Sequence, residues 1–348
     1  MNILFLVTNF NFVGGKERYD RDILRVLEEE GMNVRVVRLK GRGLMQKIGF
    51  VLRACFGAFY FRPDALFASH ASFSPLAYAL KKYTGIPYVV FTAGTEAWDI
   101  QKASIKKAIT GARLVVVISA YTREKLETQI PELREKMVYA PPTVREDLFV
   151  IKEKSEQGTN ILLTVARLRP SEEEKGYLKV IDALPALLPE FPDIRYIIVG
   201  AVLQEFGDNR ERIRAYAKER GVEKNVIVVG EVSDEELADY YNLCDVFVMP
   251  STQEGFGIVF LEALASGRPV IAGNRDGSRD ALLNGNLGLL VNPESVEEIG
   301  EAIKKVLKKE VSAELLDASR LRREALRAYG FAAFKGRVVE LVHELQSR

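Results

Sequence analysis

Three shortages narrow what this chain is before any motif is read. Its 348 residues include only two cysteines, Cys55 and Cys244, far apart and each inside an apolar run. Metal sites and secreted disulfide frameworks space their cysteines more closely, so two buried thiols are expected. Charge imbalance is also missing. The 49 lysines and arginines against 48 acids leave a formal charge of +1, which removes any global argument for nucleic-acid binding. Long uncharged apolar runs are absent as well: the most apolar stretch, Leu44 to Phe61, carries Lys47 and Arg53. A membrane-spanning helix needs about 20 mostly apolar residues, so a core helix is the expectation there, with contact to anionic lipid as its rival. The opening MNILFLVTNF lacks the charged start and small-residue cleavage site of a signal peptide. It is expected as a first buried strand, in a cytoplasmic protein.

What is present is a globular balance, 47% hydrophobic and 28% charged, in a chain long enough for two cores. Domains settle at roughly 100 to 200 residues. Short runs rich in Val, Ile and Leu alternate with helix-length segments whose apolar residues recur at spacings of three and four, the pattern of parallel βαβ units. Strands are expected near 3–7, 34–39, 65–68, 88–92, 114–118 and 137–140, and near 161–165, 195–199, 226–229, 246–249, 269–272 and 288–291. The fold class is therefore α/β, with two Rossmann-like, doubly wound parallel sheets. The polar segment Ile151 to Asn160 has no apolar periodicity and is expected as the linker between domains 1–150 and 151–330. The amphipathic end, about 331–348, is expected to pack back on the first domain. Open sheets bind ligands beyond the carboxyl ends of their strands, so two facing sheets would form a cleft.

Candidate chemistry clusters at those strand ends. After the first strand comes Gly14-Gly15, followed by a helix with Tyr19, Ile23, Val26 and Leu27 on its apolar face. Paired glycines at such a turn let a phosphate approach backbone N–H groups, or simply make a tight turn. The G-x-G-x-x-G of dinucleotide-binding enzymes is missing here. A stronger pattern runs from Pro250 to Ala263, where Glu254 and Glu262 bracket Gly255-Phe256-Gly257-Ile258 directly after an apolar strand. Carboxylates suit vicinal sugar hydroxyls, and amides at a helix start suit phosphate. Glu262 sits among Leu261, Ala263 and Leu264, where an unpaired charge would be expensive.

These residues resemble the family 4 retaining glycosyltransferases, which have the GT-B architecture of two facing Rossmann-like domains. The shared pattern is Glu254, seven residues and Glu262, then Gly267-Arg268-Pro269-Val270-Ile271-Ala272, with Arg167, Lys175-Gly176 and Gly230-Glu231-Val232-Ser233 upstream. The resemblance implies a UDP-, GDP- or ADP-sugar donor. Arg167 and Lys175 would hold its diphosphate, Glu262 its ribose hydroxyls and Val232 its base, while Glu254 and Phe256 to Ile258 meet the transferred sugar. Gly14 and Gly15 complete the donor contacts. Catalysis would fall to Arg167, Lys175 and Glu254, with no metal or other cofactor, and retention would follow from acceptor attack on the face the diphosphate leaves. The acceptor, a glycan, lipid or small molecule, would be met by His70, Thr95 and Glu96, with peripheral membrane contact a further expectation.

Three departures stand beside this. Ala93 occupies the place of the family's usual His; Ser171 to Glu174 lengthen the stretch between Arg167 and Lys175; and Ala140-Pro141-Pro142-Thr143-Val144 lacks the usual Asn-Gly. The first leaves open a nucleotide-sugar sensor without transferase activity. A nucleotide-sugar epimerase or hydrolase is the other alternative. His70 reads equally well as a structural histidine.

Overall fold

The computed structural model describes residues 1–8, 14–41, 43–153, 158–200 and 209–347, with the side chains of 170–172 also left out. Asn11 to Val13, ahead of the paired glycines, and 154–157 of the expected linker lie outside the described residues. Contacts within the chain define two compact units, Met1–Thr143 with Ala332–Arg348, and Val144–Phe331.

The first unit holds a six-stranded sheet in the order β2-β1-β3-β4-β5-β6. Its strands are β1 (Asn2–Val7), β2 (Asn33–Arg38), β3 (Ala65–Ala68), β4 (Tyr88–Thr92), β5 (Leu114–Val117) and β6 (Met137–Tyr139). Every pairing is parallel, which obliges each connection to cross a face of the sheet. The crossings carry α1 (Gly15–Glu29), α2 (Leu44–Phe56), α3 (Ser74–Thr84), α4 (Ala103–Thr110) and α5 (Ala120–Gln129). With helices over the faces, β1, β3, β4 and β5 are buried along almost their whole length and read as near-continuous apolar runs.

The second unit repeats the plan in the order β12-β11-β10-β7-β8-β9, again all parallel. Its strands are β7 (Ile161–Val165), β8 (Arg195–Val199), β9 (Val226–Val228), β10 (Val246–Met249), β11 (Val270–Gly273) and β12 (Leu289–Val291). The helices are α6 (Tyr177–Leu187), α7 (Arg210–Glu219), α8 (Asp234–Leu243), α9 (Ile258–Ala265), α10 (Ser278–Ala281), α11 (Val296–Leu307) and α12 (Ala318–Tyr329). Each unit has its own apolar core between sheet and helices. Both sheets are α/β and doubly wound, as the apolar runs and their spacing indicated.

The last helix, α13 (Phe331–Ser347), buries Phe334, Val338, Leu341, Val342 and Leu345. The Phe334 ring meets Tyr19 of α1 edge-on at 5.8 Å, and Lys335 pairs with Glu29 and Glu30. The described part of the Ile151 to Asn160 segment is tied into the second unit. There Lys152 N–H donates to Asn242 Oδ1 at 2.9 Å.

Two expectations are corrected. Cys244 is buried, but Cys55 is only half-buried, because its helix presents little of itself to the core. The Leu44 to Phe61 stretch is not a core helix. It is α2 followed by a π-helical turn over Gly57–Phe61, and on α2 only Phe50 and Ala54 are buried. Leu44, Met45, Ile48, Val51, Leu52 and Phe56 of the same helix stay exposed, because its apolar residues spread over more than the one face that the core covers. Among the described residues no helix is long and apolar enough to cross a membrane.

Candidate functional site

In a doubly wound sheet the crevice opens where the strand order changes direction, beyond the strands' carboxyl ends. In the second unit that point lies between β7 and β10, which pair Val246 with Leu162 and Phe247 with Leu163. The segments leaving these two strands carry Arg167 and Lys175 on one side and Glu254 on the other. Beneath them Thr164 Oγ1 lies 2.7 Å from the Tyr196 hydroxyl and also donates to the Val248 carbonyl, so the strand ends are bonded by side chains as well as backbone. Arg167 is exposed at the end of β7.

The longer stretch before Lys175 coils into a 3-10 helix, Pro170–Lys175, whose Glu174 carbonyl accepts the Thr252 N–H at 2.9 Å. That contact delivers Lys175 to the opposite loop. Its ammonium donates to Glu254 Oε2 at 3.0 Å and to the Gln253 carbonyl at 3.3 Å, with the two charged side chains 12% and 20% exposed. The next residue must be glycine. Gly176 has φ +79°, and a Cβ there would stand 2.2 Å from the Pro250 carbonyl oxygen.

The Glu254 loop then enters α9 through Gly257, which adopts φ 91° and ψ 80° as the residue before the first helical turn. Gly255 and Gly257 are buried, Ile258 is half-buried, and the Phe256 ring packs edge-on against Tyr329 at 5.2 Å. The Phe256 side chain therefore belongs to the core. Two turns into α9, Glu262 is 5% exposed and accepts a hydrogen bond from the Tyr241 hydroxyl at 2.9 Å. That satisfies part of a carboxylate which burial would otherwise penalise. Tyr241 is itself fixed edge-on against Phe149 at 5.5 Å. Val232 is half-buried ahead of α8, whose Ser233 and Glu236 form a complete capping box.

Sequence reasoning missed two residues here, Tyr241 and Asp276. Asp276 is fully buried after β11, and its carboxylate accepts Glu254 N–H at 2.6 Å and Ser278 N–H at 2.9 Å. The Gly277 N–H in return donates to the Glu254 carbonyl at 2.8 Å. Glu254 is thus gripped on both backbone sides by one neighbouring loop. Burial, outweighing the three hydrogen bonds that oppose it, pushes the Asp276 carboxyl up to about 6, and the Glu254 charge adds to the rise. An Asp-Gly-Ser turn after a strand is the signal that was available.

In the first unit, Gly14, Gly15, His70, Thr95 and Glu96 all follow the carboxyl ends of β1, β3 and β4. Gly14 is the extended residue before α1. The first turn of α1 brings Lys16 onto Asp20, a fully buried carboxylate whose pKa burial raises. His70 Nδ1 accepts the Ser72 N–H at 3.1 Å and caps the 3-10 turn Ala71–Phe73. An accepting Nδ1 means that the neutral ring carries its proton on Nε2. Burial lowers the His70 pKa, with the nearby Glu96 charge opposing. Glu96 Oε1 accepts the Ala93 N–H at 2.6 Å and so folds the turn that presents the exposed Thr95.

Residues 146–325, just over half of the chain, match the family model described as glycosyl transferases group 1. The chain belongs to this family. Within it, the chain is 29% identical over 230 residues to the GDP-mannose-dependent alpha-(1-6)-phosphatidylinositol monomannoside mannosyltransferase of Mycobacterium tuberculosis. That match covers 62% of the chain and 57% of the relative, so it spans little more than half of the relative's length. A D-inositol 3-phosphate glycosyltransferase from Corynebacterium glutamicum is 36% identical over 153 residues, covering 43% of the chain and 35% of that protein. Over the full length, the group 1 chain superposes on the sucrose-phosphate synthase of Thermosynechococcus elongatus with a TM-score of 0.84 at 20% identity, covering 100% of both. At that identity the likeness speaks for the fold alone.

Proposed function

We propose that this group 1 family member is a retaining, metal-independent glycosyltransferase that moves a sugar from a nucleotide-diphosphate-sugar to an acceptor. The observation that carries the reading is the loop at the second sheet's switch point. There the Glu254 backbone is gripped by Asp276 and Gly277, its carboxylate is held by Lys175, and Glu262 waits buried on the helix that follows. A static cradle of this kind suits a ligand with a sugar at one end and a ribose at the other.

Breaking the sugar–phosphate bond builds negative charge on the leaving diphosphate, and preorganised cations and helix N–H groups stabilise such charge best. In this reading Arg167 and Lys175 take that role with the amides of Gly255 to Ile258, and Glu254 orients the sugar. Glu262 binds the ribose hydroxyls, Val232 lies beside the base, and Gly14 and Gly15 approach the phosphates. His70, Thr95 and Glu96 meet the acceptor. With Nε2 carrying the proton, His70 offers a hydrogen-bond donor to an acceptor hydroxyl and no base to deprotonate it. Acceptor attack on the face the diphosphate leaves, its proton passing to a leaving phosphate oxygen, fits that arrangement. The chain's similarity to the mannosyltransferase and the inositol phosphate glycosyltransferase makes a GDP-sugar the first donor to test and an inositol-bearing or lipid-linked molecule the first acceptor. Two unbridged thiols suit a reducing compartment, so the reading places the protein in the cytoplasm, at the inner face of the membrane when its acceptor is a lipid.

The test is nucleoside diphosphate release from UDP-, GDP- and ADP-sugars, with and without acceptors. Acceptor-dependent release from one donor is expected. Binding without release from any donor would favour the sensor reading, and release without any acceptor would favour a hydrolase. Glu262→Ala should weaken nucleoside diphosphate binding about tenfold or more, the scale of one lost charge-assisted hydrogen bond, and undiminished binding would remove its assigned role.

A further inference from the structure

After β4 the first unit builds a feature that the donor site does not use. Gly94, at φ 133°, turns the chain out of the strand, and a 3-10 turn, Thr95–Ala97, follows. Next comes Trp98, the chain's single tryptophan. One side chain locks the backbone here: Gln129, the last residue of α5, donates to the Ala97 and Trp98 carbonyls at 3.0 and 2.9 Å and accepts the Ile100 N–H at 2.8 Å. The indole N–H donates to Thr122 Oγ1 at 3.1 Å. That hydroxyl belongs to a fully buried residue and lies 2.9 Å from the Oγ of Ser119, which caps α5. The indole is thus fixed by groups that follow the carboxyl ends of both β4 and β5.

Fixed as it is, the ring is not enclosed. Trp98 and Tyr121 are both half-buried and meet edge-on, with ring centres 4.9 Å apart and planes at 75°. Aromatic pairs that build the two cores, such as Phe5 with Phe67 and Tyr241 with Phe247, are fully buried. The Lys125 ammonium lies 5.2 Å from the Tyr121 ring centre, which gives that ring a cation on one face. With its N–H and its carbonyl bonded inward, Trp98 has ring carbon to offer the solvent. Around it Thr95, Asp99 and Gln101 are exposed. A rigid aromatic surface with a polar rim, beyond the carboxyl ends of parallel strands, has the composition of a small-molecule subsite.

We propose that the Trp98 indole is the platform for the acceptor's ring: a saturated, hydroxyl-bearing sugar or cyclitol ring lays its C–H face on the indole while its hydroxyls reach Thr95, Asp99 and Gln101. The proposal rests on the transferase reading, which puts the acceptor at the neighbouring Thr95 and Glu96. The negative face of an indole attracts the slightly positive hydrogens of axial C–H bonds, and flat contact removes carbon surface of both partners from water. The Asp99 carboxylate suits a pair of adjacent hydroxyls at the rim. An acyl chain or an open-chain polyol has no rigid C–H face to present, so the platform selects for the ring.

Because Trp98 is the only tryptophan, the indole emission of the full chain reports on this place alone. The probes are the methyl glycosides of glucose, galactose and mannose, and myo-inositol, titrated through the millimolar range without donor, with mannitol as the open-chain counterpart of inositol. A saturable shift in emission with at least one ring and none with mannitol is expected. Saturation-transfer NMR should then give its strongest signals on the C–H protons of one face of that ring. Trp98→Leu should raise the ring's Kd about tenfold in the NMR titration and leave nucleoside diphosphate binding unchanged, with Trp98→Phe, which keeps a smaller ring, between the two. No shift with any ring, an equal shift with mannitol, or wild-type ring affinity in Trp98→Leu overturns the inference. Should Trp98→Leu fail to fold, the wild-type emission and Trp98→Phe decide the matter. Ring binding at Trp98 without acceptor-dependent nucleotide release would count against the transferase reading alone, whereas transfer with an unchanged acceptor KM in Trp98→Leu would count against the platform alone.

Discussion

At the scale of single residues, the site is held by atoms that sequence spacing does not bring together. Asp276 accepts two backbone N–H groups with a carboxylate that burial pushes up to about 6. Asp276→Asn places an amide NH₂ where one of those donors points, so the Glu254 loop should loosen. The expected result is a donor KM raised about tenfold, from the loss of roughly one such hydrogen bond, while nucleoside diphosphate binding stays near wild type. The sign of the linked pH effect is opposite to that of an ion-paired acid. The folded-state value lies above the unfolded one, so the native protein binds the extra proton between about pH 4 and 6, and stability falls as pH rises through that window. Up to about 3 kcal/mol is involved, and the difference in unfolding free energy between wild type and Asp276→Asn, followed from pH 4 to 7, should show that slope. Gly176 makes a second point. With φ +79° and the Pro250 carbonyl in the place of a Cβ, Gly176→Ala should cost on the order of 2 kcal/mol or more, measured by urea unfolding, and displace Lys175 from Glu254. The Glu254 and Glu262 pair was visible in the sequence because both lie in one fourteen-residue motif. Asp276 and Tyr241 were not, because their roles exist only through contacts across loops.

At the scale of elements, what could be read in advance followed local chemistry. The described strands stand where the apolar runs lie: β1, β3, β4 and β5, buried on both faces, are apolar almost throughout, whereas β2 at the sheet edge mixes valines with exposed polar residues. The helix after Gly15 buries Tyr19, Ile23, Val26 and Leu27 as its spacing required. Capping is equally local: Ser233 and Glu236 close the amino end of α8, the helix that carries Tyr241 to Glu262. Ser233→Ala should lower the unfolding free energy by about 1 kcal/mol, seen as a lower urea midpoint with an unchanged slope. The exception is α2. Its composition read as core, yet composition states only that a helix is apolar and leaves open whether the fold provides a partner for each face.

At the scale of the whole molecule, two units each carry a doubly wound sheet and a separate core, and the proposed donor residues other than the paired glycines belong to the second. A ligand that binds only the native state stabilises it by mass action. Calorimetry at a hundredfold excess of the preferred nucleoside diphosphate over its Kd should therefore show about 2.7 kcal/mol of stabilisation, or roughly 5–10 °C in the transition of residues 144–331. At the same ligand concentration, the tenfold weaker binding of Glu262→Ala should remove about half of that shift. The amino-acid sequence by itself determined the fold class, the strands and the Glu-x7-Glu motif, because periodicity and motif are properties of neighbours along the chain. Tertiary structure alone decided that Lys175 reaches Glu254, that Asp276 grips the same loop from another strand, and that α2 keeps one apolar face in the open. Those outcomes depend on which strand ends lie side by side and which surfaces the core has room to cover, and neither is encoded by spacing along the chain.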